Sequence, residues 1–394
     1  MTSLKTRSIS LLLVAEVAAM SLWFVSAAIL PDMIREVRLS SFQQAALTSG
    51  VQVGFVIGAL VSALLGIADR FDPRRVFMMS ALGAGFANAL LLIVPPDSLG
   101  AVAIRVATGA FLAGVYPVGM KIAVGWGQKD RGFLVGALVG ALTLGSASPH
   151  LLALAGGSDW RLTVAIASLA AIVAGLLCLL VSLGPHHGTA ARFHPGMIAI
   201  AWKNRRVRLA YAGYLGHMWE LYAMWAWIGA AMAVSYGSSL PTQEAEQLAK
   251  ITAFVAIGAG GISCVYAGWF ADKVGKAETT IIAMALSGLS ALATAATFGG
   301  PVWLTFVVVV VWGITIIPDS AQFSALVADA SSPEQAGSLM TLQTALGFTL
   351  TFFTVQGMPL LVNVLGWAPV LAILALGPVF GIVAMLRLRA MGNA

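Results

Sequence analysis

Charge is what this sequence has least of. Of its 394 residues only 10% are Asp, Glu, Lys or Arg, while 59% are hydrophobic. A water-soluble chain carries roughly 25% charge, and a core built from this chain could not hide so much apolar surface. Lipid must be the solvent for most of it. Cysteine is nearly missing as well. Cys178 and Cys264 each sit in an apolar run, which excludes a disulfide framework or a cysteine metal site. No small-residue cleavage site follows the basic start Met1 to Ser10, so the first apolar run reads as an uncleaved span. No nucleophile–base pair or phosphate-cradling loop is present, and an enzyme is not expected. No cofactor and no metal is expected either. The net charge of +6 comes from basic residues in loops on one side, which does not imply nucleic acid.

What fills the chain is a series of long apolar runs. A membrane-crossing helix needs about 20 such residues, and twelve fit: roughly 9–30, 43–67, 76–94, 99–125, 132–155 and 160–183, then roughly 207–236, 248–270, 278–298, 302–327, 337–360 and 366–386. Runs such as Val164 to Leu183 are almost continuously apolar, so these are helices and not the alternating strands of a membrane barrel. If the N-terminus is cytoplasmic, 16 Lys and Arg residues fall on the cytoplasmic side, against only Arg35, Arg38, Arg161 and Lys250 on the other. This asymmetry fits an even number of spans with both termini inside. The loop 184–206 is the longest and divides the chain into a six-helix bundle over 1–183 and another over 207–394. Its His186, His187 and His194 read as part of a solvated linker.

The two halves repeat. The loop after span 2 reads Leu65-Gly-Ile-Ala-Asp69-Arg70-Phe-Asp72-Pro73-Arg74-Arg75, and the loop after span 8 reads Gly268-Trp-Phe-Ala-Asp272-Lys273-Val-Gly275-Lys276. Spans 4 and 10 carry late prolines, Pro117 and Pro318, and spans 5 and 11 carry Pro149 and Pro359. An ordered series of this kind argues for a duplicated six-helix unit.

These loops resemble the signature of the major facilitator superfamily. Gly268 to Lys276 matches it closely, while the first copy has Leu65 for the leading glycine and Asp72-Pro73 later on. Arg105 and Gly109 match the superfamily's span-4 pattern, and the antiporter pattern of span 5 is half present, with His150-Leu151 after Pro149. The resemblance implies an all-α fold of twelve transmembrane helices in two pseudo-symmetric bundles. It also implies secondary transport by alternating access, and a conformational latch made of Asp69, Arg70, Arg74, Asp272, Lys273 and Lys276, with Asp69 pairing with Arg70 or Arg74.

An ionisable group inside a span is costly unless paired or facing a cavity. The deep ones are Glu16, Arg105, His217, Glu220 and Asp319, on spans 1, 4, 7 and 10, the helices that line the cavity in the resembled fold. His217, Glu220, Met224 and Trp227 share one helical stripe. The expected substrate and proton cavity is therefore Glu16, Trp23, Arg105, His217, Trp219, Glu220, Asp319 and Gln322. Glu220 with His217 is expected to carry a coupling proton, tuned by Arg105. Trp219 either walls the cavity or packs on a neighbouring helix. The expected partners are a small organic solute, protons and the lipid bilayer of a bacterial inner membrane, with the chain acting as a monomer. The solute stays open, as does its direction of travel. A drug-efflux antiporter and a non-transporting sensor or assembly factor on the same fold are the alternatives.

Overall fold

A computed structural model describes residues 2–127, 130–156, 159–186 and 196–392. About 84% of the chain is helical, with no strand among the described residues. Eleven helices are long and apolar enough to cross a membrane: Ser3–Glu36 (span 1), Ser41–Leu65 (2), Pro73–Leu92 (3), Leu99–Val124 (4), Gly132–Ala155 (5), Trp160–Cys178 (6), Thr242–Val274 (8), Lys276–Thr297 (9), Val302–Asp329 (10), Gln335–Leu365 (11) and Trp367–Arg389 (12). Span 7 is the 32-residue helix Arg205–Tyr236. It is the most polar of the set, carrying His217, Glu220, three tryptophans and four tyrosines, yet it is buried along most of its length. All twelve expected spans have a helix, and several run past the expected ends. Span 8 begins at Thr242 rather than near 248, because charged and amide side chains let its first turns stand clear of the apolar layer.

The helix ends are set by local chemistry. Ser40 and Gln43 form a reciprocal capping box that starts span 2. Gly66, at φ 63°, ends it in the left-handed conformation that glycine adopts without strain. Asp72 caps span 3 with Pro73 at its first turn, and Asn204 caps span 7 by accepting from the backbone N–H of Arg206 and Val207.

Packing in the first six spans is repeated in the last six. Spans 1–5, 1–6, 2–4, 3–4 and 3–6 pack together, as do 7–11, 7–12, 8–10, 9–10 and 9–12. A Cβ on Gly109 of span 4 would lie 2.0 Å from the Val51 carbonyl oxygen of span 2, and one on Gly313 of span 10 would lie 2.0 Å from that of Ala256 in span 8. The same helix pair thus closes backbone to backbone in both copies, which only glycine allows. Between the copies, spans 2–11 and 5–8 meet. Spans 1, 4 and 10 break near mid-length, at 21–24, 113–115 and 316–319. Layering follows burial: the most apolar stretch of span 1 is 78% buried and that of span 3 only 33%. Leu169, Leu289 and Phe380 of the outer spans are exposed, as lipid contact requires.

Polar bonds between the copies gather on the side away from the N-terminus. Lys250 Nζ of span 8 donates to Asp32 Oδ2 of span 1 at 2.8 Å and to the Ala153 carbonyl of span 5 at 3.5 Å. Arg35 pairs with Glu246. Gln356 of span 11 accepts from Ser49 Oγ at 2.9 Å and donates to the Phe42 carbonyl, and Asn363 donates to Ser41 Oγ.

The expected pairing of Asp69 with Arg70 or Arg74 falls on a side chain outside the described residues. Arg74 pairs with Asp72, two residues away, through Nε at 3.1 Å and Nη2 at 2.6 Å, and reaches the Val181 carbonyl of span 6. The arginine thus meets the nearer acid and holds the Asp72 carboxyl below the usual carboxylate range. Lys273 lies over the Trp269 ring at 3.7 Å, Lys276 pairs with Asp329 of span 10, and Arg70 and Asp272 are exposed. These recorded partners all belong to the residue's own copy, so the contacts brace each copy from within.

Candidate functional site

Three polar groupings occupy the buried interior. The first surrounds Arg105. Where span 1 breaks, the carbonyls of Leu22 and Trp23 lose their helical partners, and a bare carbonyl in lipid is expensive. Arg105 Nη2 donates to both, at 2.8 and 3.0 Å. Its Nε donates to the Leu47 carbonyl of span 2 at 3.2 Å, and Nη1 to Asn88 Oδ1 of span 3 at 2.6 Å. Asn88 in turn donates to Ser168 Oγ of span 6 at 2.9 Å. Arg105 therefore ties four spans together around the break in span 1. Its recorded partners all lie in its own copy, and Glu220, expected to be tuned by it, bonds instead to Trp312 and Ser287.

The second grouping lies on spans 7, 9 and 10. His217 Nδ1 stands 2.9 Å from Asp319 Oδ1, and both side chains are all but inaccessible. The contact does not count as a hydrogen bond to Asp319 Oδ1, and His217 Nε2, on the far side of the ring, also has no partner among the described residues. Asp319 sits in the break of span 10, just after Pro318. Glu220 lies one turn beyond His217 on span 7. Glu220 is bonded to spans 9 and 10: Oε1 accepts from Trp312 Nε1 of span 10 at 2.7 Å and Oε2 from Ser287 Oγ of span 9 at 2.9 Å. Gln322 is buried on the same span as Asp319.

The third grouping is defined by missing partners. Glu16 is fully buried on span 1, and neither carboxyl oxygen accepts a hydrogen bond among the described residues. The carboxyl lies against Gly119 of span 4, where even a Cβ would stand 2.7 Å from Oε2. Tyr116 opens the second half of span 4, three residues before Gly119, and the Tyr214 ring is 6.1 Å from that of His217. Gln343 of span 11 is buried with both amide atoms unpartnered among the described residues. Trp23 joins Phe55, Tyr222 and Phe348 at ring separations of 4.9, 5.9 and 5.4 Å, an aromatic cluster drawn from spans 1, 2, 7 and 11. Trp219 is not in it. Its ring packs against Gly377 of span 12, the neighbour-helix alternative.

His217, Glu220 and Asp319 are thus brought together, with Gln322 nearby. Glu16 and Trp23 line the first copy's side of the interior, while Arg105 and Trp219 are turned elsewhere. Sequence reading missed Asn88, Ser287, Trp312, Tyr116 and Gln343. Each is an uncharged polar residue within an apolar span, and only the tertiary partner distinguishes such a residue from one that bonds its own helix.

The family profile described as Major Facilitator Superfamily matches residues 11–348. The chain belongs to that superfamily and is a multi-pass membrane transporter rather than an enzyme. Among solved structures, it is similar to the crystal structure of a mutant of the nucleoside transporter NupG, with a TM-score of 0.71, 14% identity, and coverage of 99% of this chain and 100% of that one. It is also similar to a D-xylose-proton symporter, with a TM-score of 0.73, 13% identity, and 96% of each chain covered. A partially occluded inward open form of the xylose transporter XylE from E. coli gives a TM-score of 0.71 at 14% identity, over 98% of this chain and 100% of that chain. At these identities the likeness is one of fold. No curated protein matches the sequence significantly.

Proposed function

We propose that this chain is a proton-coupled secondary carrier of a small organic solute in a bacterial inner membrane. The observation that carries the reading is the buried His217–Asp319 contact, with Glu220 buried one turn further along span 7. Titratable groups this deep in a bilayer are costly, and their use is to take up and release charge. With its proton, His217 neutralises Asp319; without it, Asp319 is left negative in the break of span 10, a change large enough to bias a conformational equilibrium. The two copies, residues 1–183 and 207–394 joined by 184–206, rock about this midplane site. The Lys and Arg bias places both termini in the cytoplasm. The Lys250–Asp32 and Arg35–Glu246 contacts then seal the outer face. The monomer contains the whole site. That a similar structure is named for a D-xylose-proton symporter supports proton coupling as an activity this fold accommodates.

A second reading is favoured by Glu16. A buried carboxyl without donors, together with aromatic rings on spans 1, 2, 7 and 11, suits an organic cation, and a proton and a cation competing for it would make the carrier an exporting antiporter. One experiment addresses both readings. The purified chain is reconstituted in proteoliposomes containing a pH-sensitive dye, and uridine, D-xylose and tetraphenylphosphonium are added in turn. The expected result is that one of them moves protons, inward for symport or outward for antiport, and that His217→Gln or Asp319→Asn abolishes the response. Solute uptake with no proton movement at any pH would sink the coupling.

A further inference from the structure

Glu220 faces away from the interior seam, towards span 9 and the outer part of span 10, and its two partners are chemically unlike. The Trp312 indole N–H can only donate, and it holds Oε1 at 2.7 Å. The Ser287 hydroxyl can donate or accept. It lies 2.9 Å from Glu220 Oε2 and 3.2 Å from the Met284 carbonyl of its own helix, with both oxygens in reach of its single proton. When Glu220 is charged, it accepts from Trp312 and from Ser287. When Glu220 is protonated on Oε2, that O–H donates to Ser287, whose own proton turns to Met284. Every partner stays satisfied in both states, and no heavy atom has to move. In a lipid-buried site, where an unsatisfied group costs as much as a lost hydrogen bond or more, this two-way arrangement is what a group that loads and unloads a proton requires.

We infer that Ser287 and Trp312 are positioning residues that make Glu220 a proton-holding site distinct from the His217–Asp319 contact, with the Ser287 hydroxyl reversing its hydrogen bond as the proton arrives. The inference rests on the coupling reading above for its place in transport, but not for its chemistry. Asp319 of span 10 stands against His217, one turn of span 7 from Glu220. Span 9 presents Ser287 and Met284. The approach of span 12 to span 7 near Gly216 is through Gly377 and Gly381, which cannot titrate.

The test reads the carboxyl directly and needs no solute. Purified full-length chain in nanodiscs is titrated while infrared difference spectra follow the C=O stretch of protonated carboxyls. Glu220→Gln identifies the Glu220 band by its loss. Ser287→Ala should raise the frequency of that band, because a hydrogen bond to the carboxyl is gone. It should also move the midpoint to higher pH by about one unit, a tenfold change in proton affinity, since the charged form loses the stronger bond. Ser287→Thr should restore both, and Trp312→Phe should move the midpoint in the same direction without a reversing partner to rescue it. A Ser287→Ala band unchanged in frequency and midpoint overturns the inference, as does a Glu220→Gln spectrum identical to that of the parent. A Glu220 band that behaves as described in a chain whose solute uptake moves no protons would leave this site standing and remove only the coupling reading.

Discussion

Arg105 and His217 are both buried in the middle of a span, each beside a break in a helix, and their surroundings are opposite in kind. Around Arg105 four of the five N–H groups are bonded: two carbonyls of the broken span 1, one of span 2 and the Asn88 amide all accept from it. Around His217 and Asp319 fewer bonds form, with Nε2 and Oδ1 left over, and Glu16 in the other copy has no partner for either oxygen among the described residues. A buried charge whose donors are mostly spent on backbone holds the architecture. One with unspent capacity is the place to test for a proton or a solute.

Substitutions can break this contrast. The largest effect is expected at Arg105. Arg105→Gln leaves carbonyls of two spans unanswered and should cost on the order of 3–5 kcal/mol of stability, read as a steep loss of folded protein and of melting temperature in nanodiscs. If it folds normally and alters only transport, the architectural role is wrong. Next comes Gly140→Val in span 5. A Cβ there would stand 2.8 Å from the Gly261 carbonyl oxygen of span 8, and prising the helices apart should cost about 1–3 kcal/mol, measured by denaturation in mixed micelles. Glu16→Gln should leave stability within about 1 kcal/mol, since no hydrogen bond is lost, yet cut solute-driven proton movement at least tenfold. A marked loss of stability instead would place Glu16 with Arg105. The smallest effect is expected at Asp72→Asn. The Arg74 contact keeps the Asp72 carboxyl low, so its contribution is present at neutral pH and fades only as acid protonates it below the ordinary carboxylate range. For a pair this exposed the loss should stay under about 1 kcal/mol, checked by melting temperature at pH 7 and in acid.

Much of the fold could be read before any coordinates. Twelve apolar runs, the repeat of Asp69 and Asp272, and the late prolines Pro117 and Pro318 are local signals, and a helix reports itself through its own composition. The break in span 1 was not legible, because Ser21 to Phe24 contains neither proline nor glycine and is held open by Arg105 from three spans away. The site was legible in part. Rarity marked His217, Glu220 and Asp319, since a charge in an apolar run stands out wherever its partner lies. Direction was not marked: Glu220 shares a stripe with His217, yet one turn of helix separates a contact to span 10 alone from one shared by spans 9 and 10. Lys250 counted only as a basic residue of the non-cytoplasmic side, and it takes the meeting of spans 1 and 8 to pair it with Asp32.

The two seams between the copies differ as surfaces. Along spans 5 and 8, Gly140 and Gly261 meet backbone to backbone. Along spans 2 and 11, Phe55 and Phe348 lie with ring centroids 4.8 Å apart. The midline is therefore lopsided: where backbone meets backbone the two copies share a smooth, close surface without side chains to interlock, and where ring meets ring they interdigitate bulky side chains, so that the first seam is set by shape and the second by packing.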